Sequence, residues 1–326
     1  MDPVRILSID GGGIRGLIPA KILYELERRT EKPISSLFDL IAGTSTGGII
    51  AVALSCPGEG GPRFSAQALV EFYLTEGPRI FKRSPWRIGL LEEKYPSQTI
   101  EGILQEYLGN ITLSEALVEI LVTAYEIELR QPYFFKRHRA REGEQPDIAL
   151  WQVARATSAA PTYFEPARVE VPPSFVRQLD PRAPKGKNFL SLVDGGVMAN
   201  NPAMCALAEA RRLWPGRPVI LVSLGTGELT RPIPHEEAIG WGLAGWARPL
   251  LDVIFDGVSD TADYQCRWLL EEGGNRYFRF QTTLTLGKDD LDDASQTNLH
   301  ALETLAEELI SREASRLEQL LENLVR

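Results

Sequence analysis

A chain of 326 residues that is 44% hydrophobic and 24% charged has the composition of a folded globular protein, long enough to bury a large core. The formal charge of -9 argues against a nucleic-acid partner. Three scattered cysteines, Cys56, Cys205 and Cys266, argue against a disulfide framework or a cysteine metal site, and no apolar run reaches the roughly 20 residues that cross a bilayer. The three histidines have no H-E-x-x-H spacing, and no signal-peptide pattern precedes the first strand-like run. The chain reads as cytoplasmic and metal-free, with any membrane contact peripheral.

The first predicted strand covers residues 4–9 and runs into Asp10-Gly11-Gly12-Gly13-Ile14-Arg15-Gly16. Residues 17–26 read as a helix, with Pro19 in its first turn, where a missing N–H costs little. Residues 38–42 read as a buried strand, closed by Gly43-Thr44-Ser45-Thr46-Gly47-Gly48, and residues 47–54 as an apolar helix. A loop at 57–63 precedes a helix at 66–76. Residues 77–97 look irregular; basic residues and aromatics alternate from Arg79 to Trp86. A strand at 118–127 is paired with a hairpin partner beginning at Tyr133, and a helix at 149–158 ends at Ala159-Ala160-Pro161. Residues 172–187 read as a basic, proline-rich surface loop. A strand at 189–193 ends in Asp194-Gly195-Gly196, a helix follows at 203–213, and residues 219–224 form the clearest buried strand. Leucines from Leu299 to Leu324 at three- and four-residue steps give one long amphipathic helix, within a C-terminal extension at 295–326. The alternation of strands and helices predicts an α/β layered fold with a largely parallel sheet. Residues 1–326 read as one domain, with its motifs in 4–230.

Two glycine-rich turns and one aspartate carry the chemistry. Gly43-Thr44-Ser45-Thr46-Gly47 fits G-x-S-x-G, the strand–turn–helix that lifts a serine hydroxyl clear of the backbone. On its own the pattern also describes an ordinary tight turn holding a chance serine. Gly11, Gly12 and Gly13 offer backbone N–H groups to a developing oxyanion. Gly11, Gly13 and Gly16 also fit the dinucleotide pattern G-x-G-x-x-G, but the acidic residues that follow, Glu27 and Glu31, lie in helix-like sequence rather than at a strand end. Asp194 closes an apolar strand before two glycines and is the candidate base; an Asp-Gly turn or a helix cap is the plainer reading. None of the histidines has the context of a base. His138 sits in a basic run that reads as solvated, His300 on the C-terminal helix, and His235 is kept only as a third member of a triad. The arrangement favours a Ser-Asp pair.

These blocks resemble the patatin-like phospholipases. The match covers Ser8 to Gly16, Gly43 to Gly48 and Asp194 to Gly196, together with Glu76 to Phe81, Ala156 to Phe164 and Ser223 to Gly227. The resemblance implies a three-layer α/β/α sandwich with Ser45 as nucleophile and Asp194 as base. It implies an oxyanion hole at Gly11, Gly12 and Gly13 beside Arg15, a nucleophile elbow flanked by Gly43 and Gly47, and an aspartate block completed by Gly195 and Gly196. The implied activity is hydrolysis of glycerolipid esters through an acyl-enzyme, without cofactor, at a phospholipid or galactolipid surface. The Arg79–Trp86 stretch offers contacts to anionic headgroups or, on the plainer reading, is a solvated loop whose aromatics pack inward, and the glycine-rich apolar segment 239–251 offers a lid, an acyl-chain wall or core packing. The C-terminal helix serves packing, a homodimer or membrane docking. Two alternatives share the same chemistry: an acyltransferase, and a membrane-degrading effector switched on by a cyclic nucleotide, for which residues 136–141 and 177–187 are the candidate anion sites.

Overall fold

A computed structural model describes residues 2–82, 93–228, 232–246, 249–286 and 289–325. Its main sheet has eight strands: β1 (Val4–Ile9), β2 (Leu40–Gly43), β3 (Glu119–Glu126), β4 (Gln131–Lys136), β5 (Ala167–Glu170), β6 (Phe189–Asp194), β7 (Val219–Leu224) and β8 (Arg276–Phe280). The order β8-β7-β1-β2-β3 is parallel, whereas β4, β6 and β5 join antiparallel beyond it.

Strand periodicity assigns the two faces. Leu7, Ile9, Ile41, Ile120, Val122, Ile220 and Val222 point into one apolar cluster; Val4, Ile6, Leu40, Ala42, Leu121, Val219 and Leu221 point into a second. Onto the first face pack α1 (Leu17–Thr30), α2 (Thr46–Ser55), α3 (Ala66–Ile80), α4 (Ser97–Leu108) and α5 (Leu150–Thr157). The second face is covered by α6 (Ala203–Leu213) and by the far end of α7 (Pro249–Leu269), through Ala206, Ala210 and Cys266. Helices α8 (Gln296–Arg312) and α9 (Ala314–Val325) complete the first layer, where Lys21 of α1 pairs with Glu307 of α8 at 2.8 Å. The expected layered α/β/α architecture is present.

Several expectations change. The C-terminal leucine pattern is carried by two helices that break at Glu313; it reads as one helix because the apolar steps on either side keep the same spacing and no glycine or proline marks the joint. Helix α3 runs through Pro78 to Ile80, into the stretch read as irregular, and α4 begins at Ser97, where that stretch ends. Residues 173–179 are helical rather than loop. The predicted headgroup contacts at Arg83 and Trp86 lie outside the described residues; Phe81, at the near end of that stretch, packs edge-on against Tyr95.

The basic candidates for anion binding are largely paired within the fold. Lys136 pairs with Glu209, Arg137 with Glu119, Arg139 with Glu144, and the buried Lys187 with Glu126 and Glu128. His138 is buried, not solvated, and lies between Glu119 and Glu209. Glu27, the residue a ribose-binding reading would need, is a structural cap: its carboxylate accepts the N–H groups of Ile34 at 3.0 Å and Ala66 at 2.7 Å. No described helix is long and apolar enough to cross a membrane.

Candidate active site

The sheet itself brings the serine and the aspartate together. One edge of β3 pairs with β4 from Leu121 to Glu126. The other edge is shared: parallel β2 occupies it up to Gly43 opposite Val122, and antiparallel β6 occupies it from Asp194 opposite Ala124. The two strands thus end head to head, two residues of β3 apart, a separation of about 7 Å. Thr123 lies at the junction; its hydroxyl meets that of Thr44 at 2.7 Å, and a β-carbon on Gly195 would collide with it. Asp194 is further pinned by its own N–H, which donates to the Ala159 carbonyl at 3.0 Å.

Ser45 sits at the turn from β2 into α2 with φ 54° and ψ -123°, a conformation natural to glycine and costly to serine, by about 1–3 kcal/mol. The turn is held by the Ser45 N–H, which donates to Oγ1 of Thr157 at 2.8 Å, and by the Gly47 N–H on the Thr44 carbonyl at 2.8 Å. Gly47 is required by close approach, since a β-carbon there would collide with the Ile9 carbonyl of the neighbouring strand. Ser45→Gly should relieve the strain, melting about 1–2 °C above Ser45→Ala if the net gain is near 1 kcal/mol. Parallel thermal denaturation of the two variants checks this; equal midpoints would show that the elbow stores no strain.

The carboxyl of Asp194 has no solvent exposure. Burial pushes its pKa up to about 7, although the Ser45 hydroxyl and the Gly196 N–H pull it back. Oδ1 accepts the Gly196 N–H at 2.8 Å, while Oδ2 has no hydrogen-bond partner among the described residues. Ser45 and Asp194 line one apolar cleft of ≈ 650 Å³, mouth included, together with Ile49, Phe72, Ile80, Phe81, Ile100, Phe164, Phe255 and Leu291. No histidine lines it; His235 and His300 are exposed on the surface.

The glycine turn after β1 reaches the same cleft, and its residues divide. Gly12 and Gly13 line the cleft, and their N–H groups make no hydrogen bond to any of the described residues. The Gly11 N–H is already given to the Asn200 carbonyl at 2.9 Å, so Gly11 cannot serve as the third donor that its sequence position suggested. Arg15 is buried and turned back on the loop, its Nε donating to the Gly12 carbonyl at 3.3 Å. It braces the turn rather than facing the cleft, and its burial lowers its pKa. A buried ion pair anchors the start of the loop, Asp10 to Arg279 of β8 at 2.6 Å.

The supporting residues Thr157, Asn200, Thr226 and Arg279 were not picked out from the sequence as part of the site. Thr157 and Thr226 do lie in the blocks Ala156 to Phe164 and Ser223 to Gly227, so a motif pointed to the segments but not to their roles. Arg279 carried no local signal.

A sequence profile described as patatin-like phospholipase matches residues 7–207. The chain is 32% identical over 338 residues to "Probable inactive patatin-3-Kuras 1" of Solanum tuberosum, covering 96% of this chain and 87% of that protein. It is 33% identical over 353 residues to "Patatin-like protein 2" of Arabidopsis thaliana, covering 96% and 84%. Among solved structures, human GIVD cytosolic phospholipase A2 aligns at a TM-score of 0.47 with 10% identity, over 99% of this chain and 60% of that one.

Proposed function

The chain belongs to the patatin-like phospholipase family, and from that membership and the cleft geometry we propose a lipid acyl hydrolase working through a Ser45–Asp194 dyad. Membership alone does not carry the reading, because one relative bears the name "probable inactive". What carries it is one cleft holding an elbow serine, a buried carboxyl with pKa about 7 and two unengaged amides.

In this reading Asp194 takes the Ser45 proton as Oγ attacks the ester carbonyl carbon, and the carbonyl electron pair moves to oxygen. The Gly12 and Gly13 N–H groups receive that oxyanion. Collapse expels the alcohol, protonated by Asp194, and leaves an acyl-Ser45. Asp194 then takes a proton from water, which attacks the acyl group and releases the fatty acid. The aromatic and aliphatic walls suit an acyl chain. Nothing in the geometry favours an acyl acceptor other than water, and the internally paired basic segments give no support to a cyclic-nucleotide activator. The assay that tests the reading is serine-dependent release of fatty acid from phospholipid vesicles.

Contact with the lipid surface is assigned to the apolar residues around the start of α7. Ile239, Trp246, Leu250 and Val253 are exposed, while Phe255, two residues further on, is buried and lines the cleft. Large apolar side chains held in water next to a substrate cleft suit an interfacial role. A Trp246→Ala, Leu250→Ser, Val253→Ser triple variant should lose about tenfold or more on vesicles while keeping soluble-ester turnover. Equal losses on both substrates would place the segment in packing instead.

A further inference from the structure

The Gly12 and Gly13 amides serve an oxyanion only if they point into the cleft, and glycine has no side chain with which to aim them. A trans peptide group is planar, so each N–H runs antiparallel to the carbonyl of the preceding residue. No described peptide bond is cis. The direction of the Gly13 N–H is therefore set by whatever holds the Gly12 carbonyl, and that of the Gly12 N–H by whatever holds the Gly11 carbonyl.

The first is held within the turn, by the Arg15 N–H at 3.1 Å and Arg15 Nε at 3.3 Å. The second is held from outside. Oγ1 of Thr226 donates to the Gly11 carbonyl at 2.6 Å across 215 residues of sequence. Thr226 is 3% exposed and follows β7, whose Leu224 lies beside Ile9 at the end of β1, so the loops leaving the two strands run together. The threonine loop is fixed in turn, since the Gly225 N–H donates to the Phe280 carbonyl at 2.9 Å and the Gly227 N–H to Gln281 Oε1 at 2.8 Å. A β-carbon on Gly12 would collide with the Thr226 side chain, so the hydroxyl occupies the space that a residue other than glycine would need.

We propose that Thr226 is a positioning residue of the oxyanion hole, whose hydroxyl, by holding the Gly11 carbonyl, aims the Gly12 N–H at the developing oxyanion. It touches neither substrate nor reacting atoms, and the inference rests on the hydrolase reading above.

The test compares wild type with Thr226→Val, which keeps the shape and loses the donor, and with Thr226→Ser, which keeps the donor. Competent sites are counted with a fluorophosphonate, which forms an Oγ–P bond at Ser45 and expels fluoride. Turnover of p-nitrophenyl butyrate per competent site is then measured, with the inhibition constant of an alkylboronic acid, whose tetrahedral anion resembles the transition state. For Thr226→Val the expected fall in kcat is about 10- to 100-fold with KM within about twofold, less than deletion of a donor costs because the amide is misaimed rather than removed. The boronic acid should weaken by a similar factor, and Thr226→Ser should recover most of both losses. A merely structural role would lower the number of competent sites and the melting temperature while leaving kcat per site and the inhibition constant at wild-type values, and that result overturns the proposal. If the valine variant does not fold, Thr226→Ala is held to the same split. A wild type that neither labels nor hydrolyses overturns the hydrolase reading and this inference with it; an active wild type matched by Thr226→Val overturns only the positioning role.

Discussion

Ser45→Ala should reduce ester turnover by at least about 10³-fold while leaving the fold intact. Without Oγ no acyl-enzyme forms, and the residual rate comes from whatever water Asp194 and the two free amides can activate. The variant should fold, because the elbow is held by backbone groups: the N–H of residue 45 still reaches Thr157, and the Gly47 N–H still reaches the Thr44 carbonyl. Fatty-acid release from phosphatidylcholine and phosphatidylglycerol vesicles is the measurement, with a soluble p-nitrophenyl ester in parallel. Serine-dependent release from vesicles makes the chain a phospholipase and turns attention to positional preference. Cleavage of the soluble ester alone means a competent site offered the wrong lipid, or one lacking an activator. Wild-type rates in a folded Ser45→Ala variant would remove the nucleophile assignment.

The three chemical blocks were legible because each makes a local demand. A serine at positive φ between close-packed chain segments needs glycines around it, and a carboxylate at a strand end needs room beside it. The strands that carry the blocks were legible for a second local reason: mostly apolar runs at 4–9, 38–42 and 189–193 stand out against their flanks. What joins the blocks is non-local. The shared edge of β3, which sets Gly43 against Val122 and Asp194 against Ala124, depends on register between distant strands and leaves no mark in either motif. Strand β8 was missed because Arg276 and Arg279 break its apolar run; Arg279 is buried only because Asp10, 269 residues away, neutralises it. His138 misled in the same way, since its basic neighbours are paired with carboxylates from β3 and α6 that the local sequence cannot show. Gly11 was over-read for a related reason: a run of three glycines does not reveal that one amide is already bonded to Asn200.

Asp194→Asn should cost activity on the same scale, about 10³-fold or more, and should stabilise the fold where the wild type works. Both effects have one cause. A carboxyl with pKa near 7 in the folded state and about 3.9 in the unfolded state binds more protons when folded. Its stabilising contribution is therefore present below about pH 4, is lost as pH rises toward 7, and stays lost above 7, by up to about 4 kcal/mol in all. Asparagine carries no charge to bury, and its carbonyl oxygen can still accept the Gly196 N–H. The melting temperature of Asp194→Asn relative to wild type should thus rise between about pH 4 and 7 and then level off. Over the same range wild-type kcat/KM should climb with a midpoint near 7, because only the ionised carboxylate can take the serine proton. The poor match between an ordinary aspartate and a serine hydroxyl is narrowed by the desolvation that makes the folded state pay. A kcat/KM profile with its midpoint near 4, or a melting difference flat across this range, would show that Asp194 is neither desolvated nor the base.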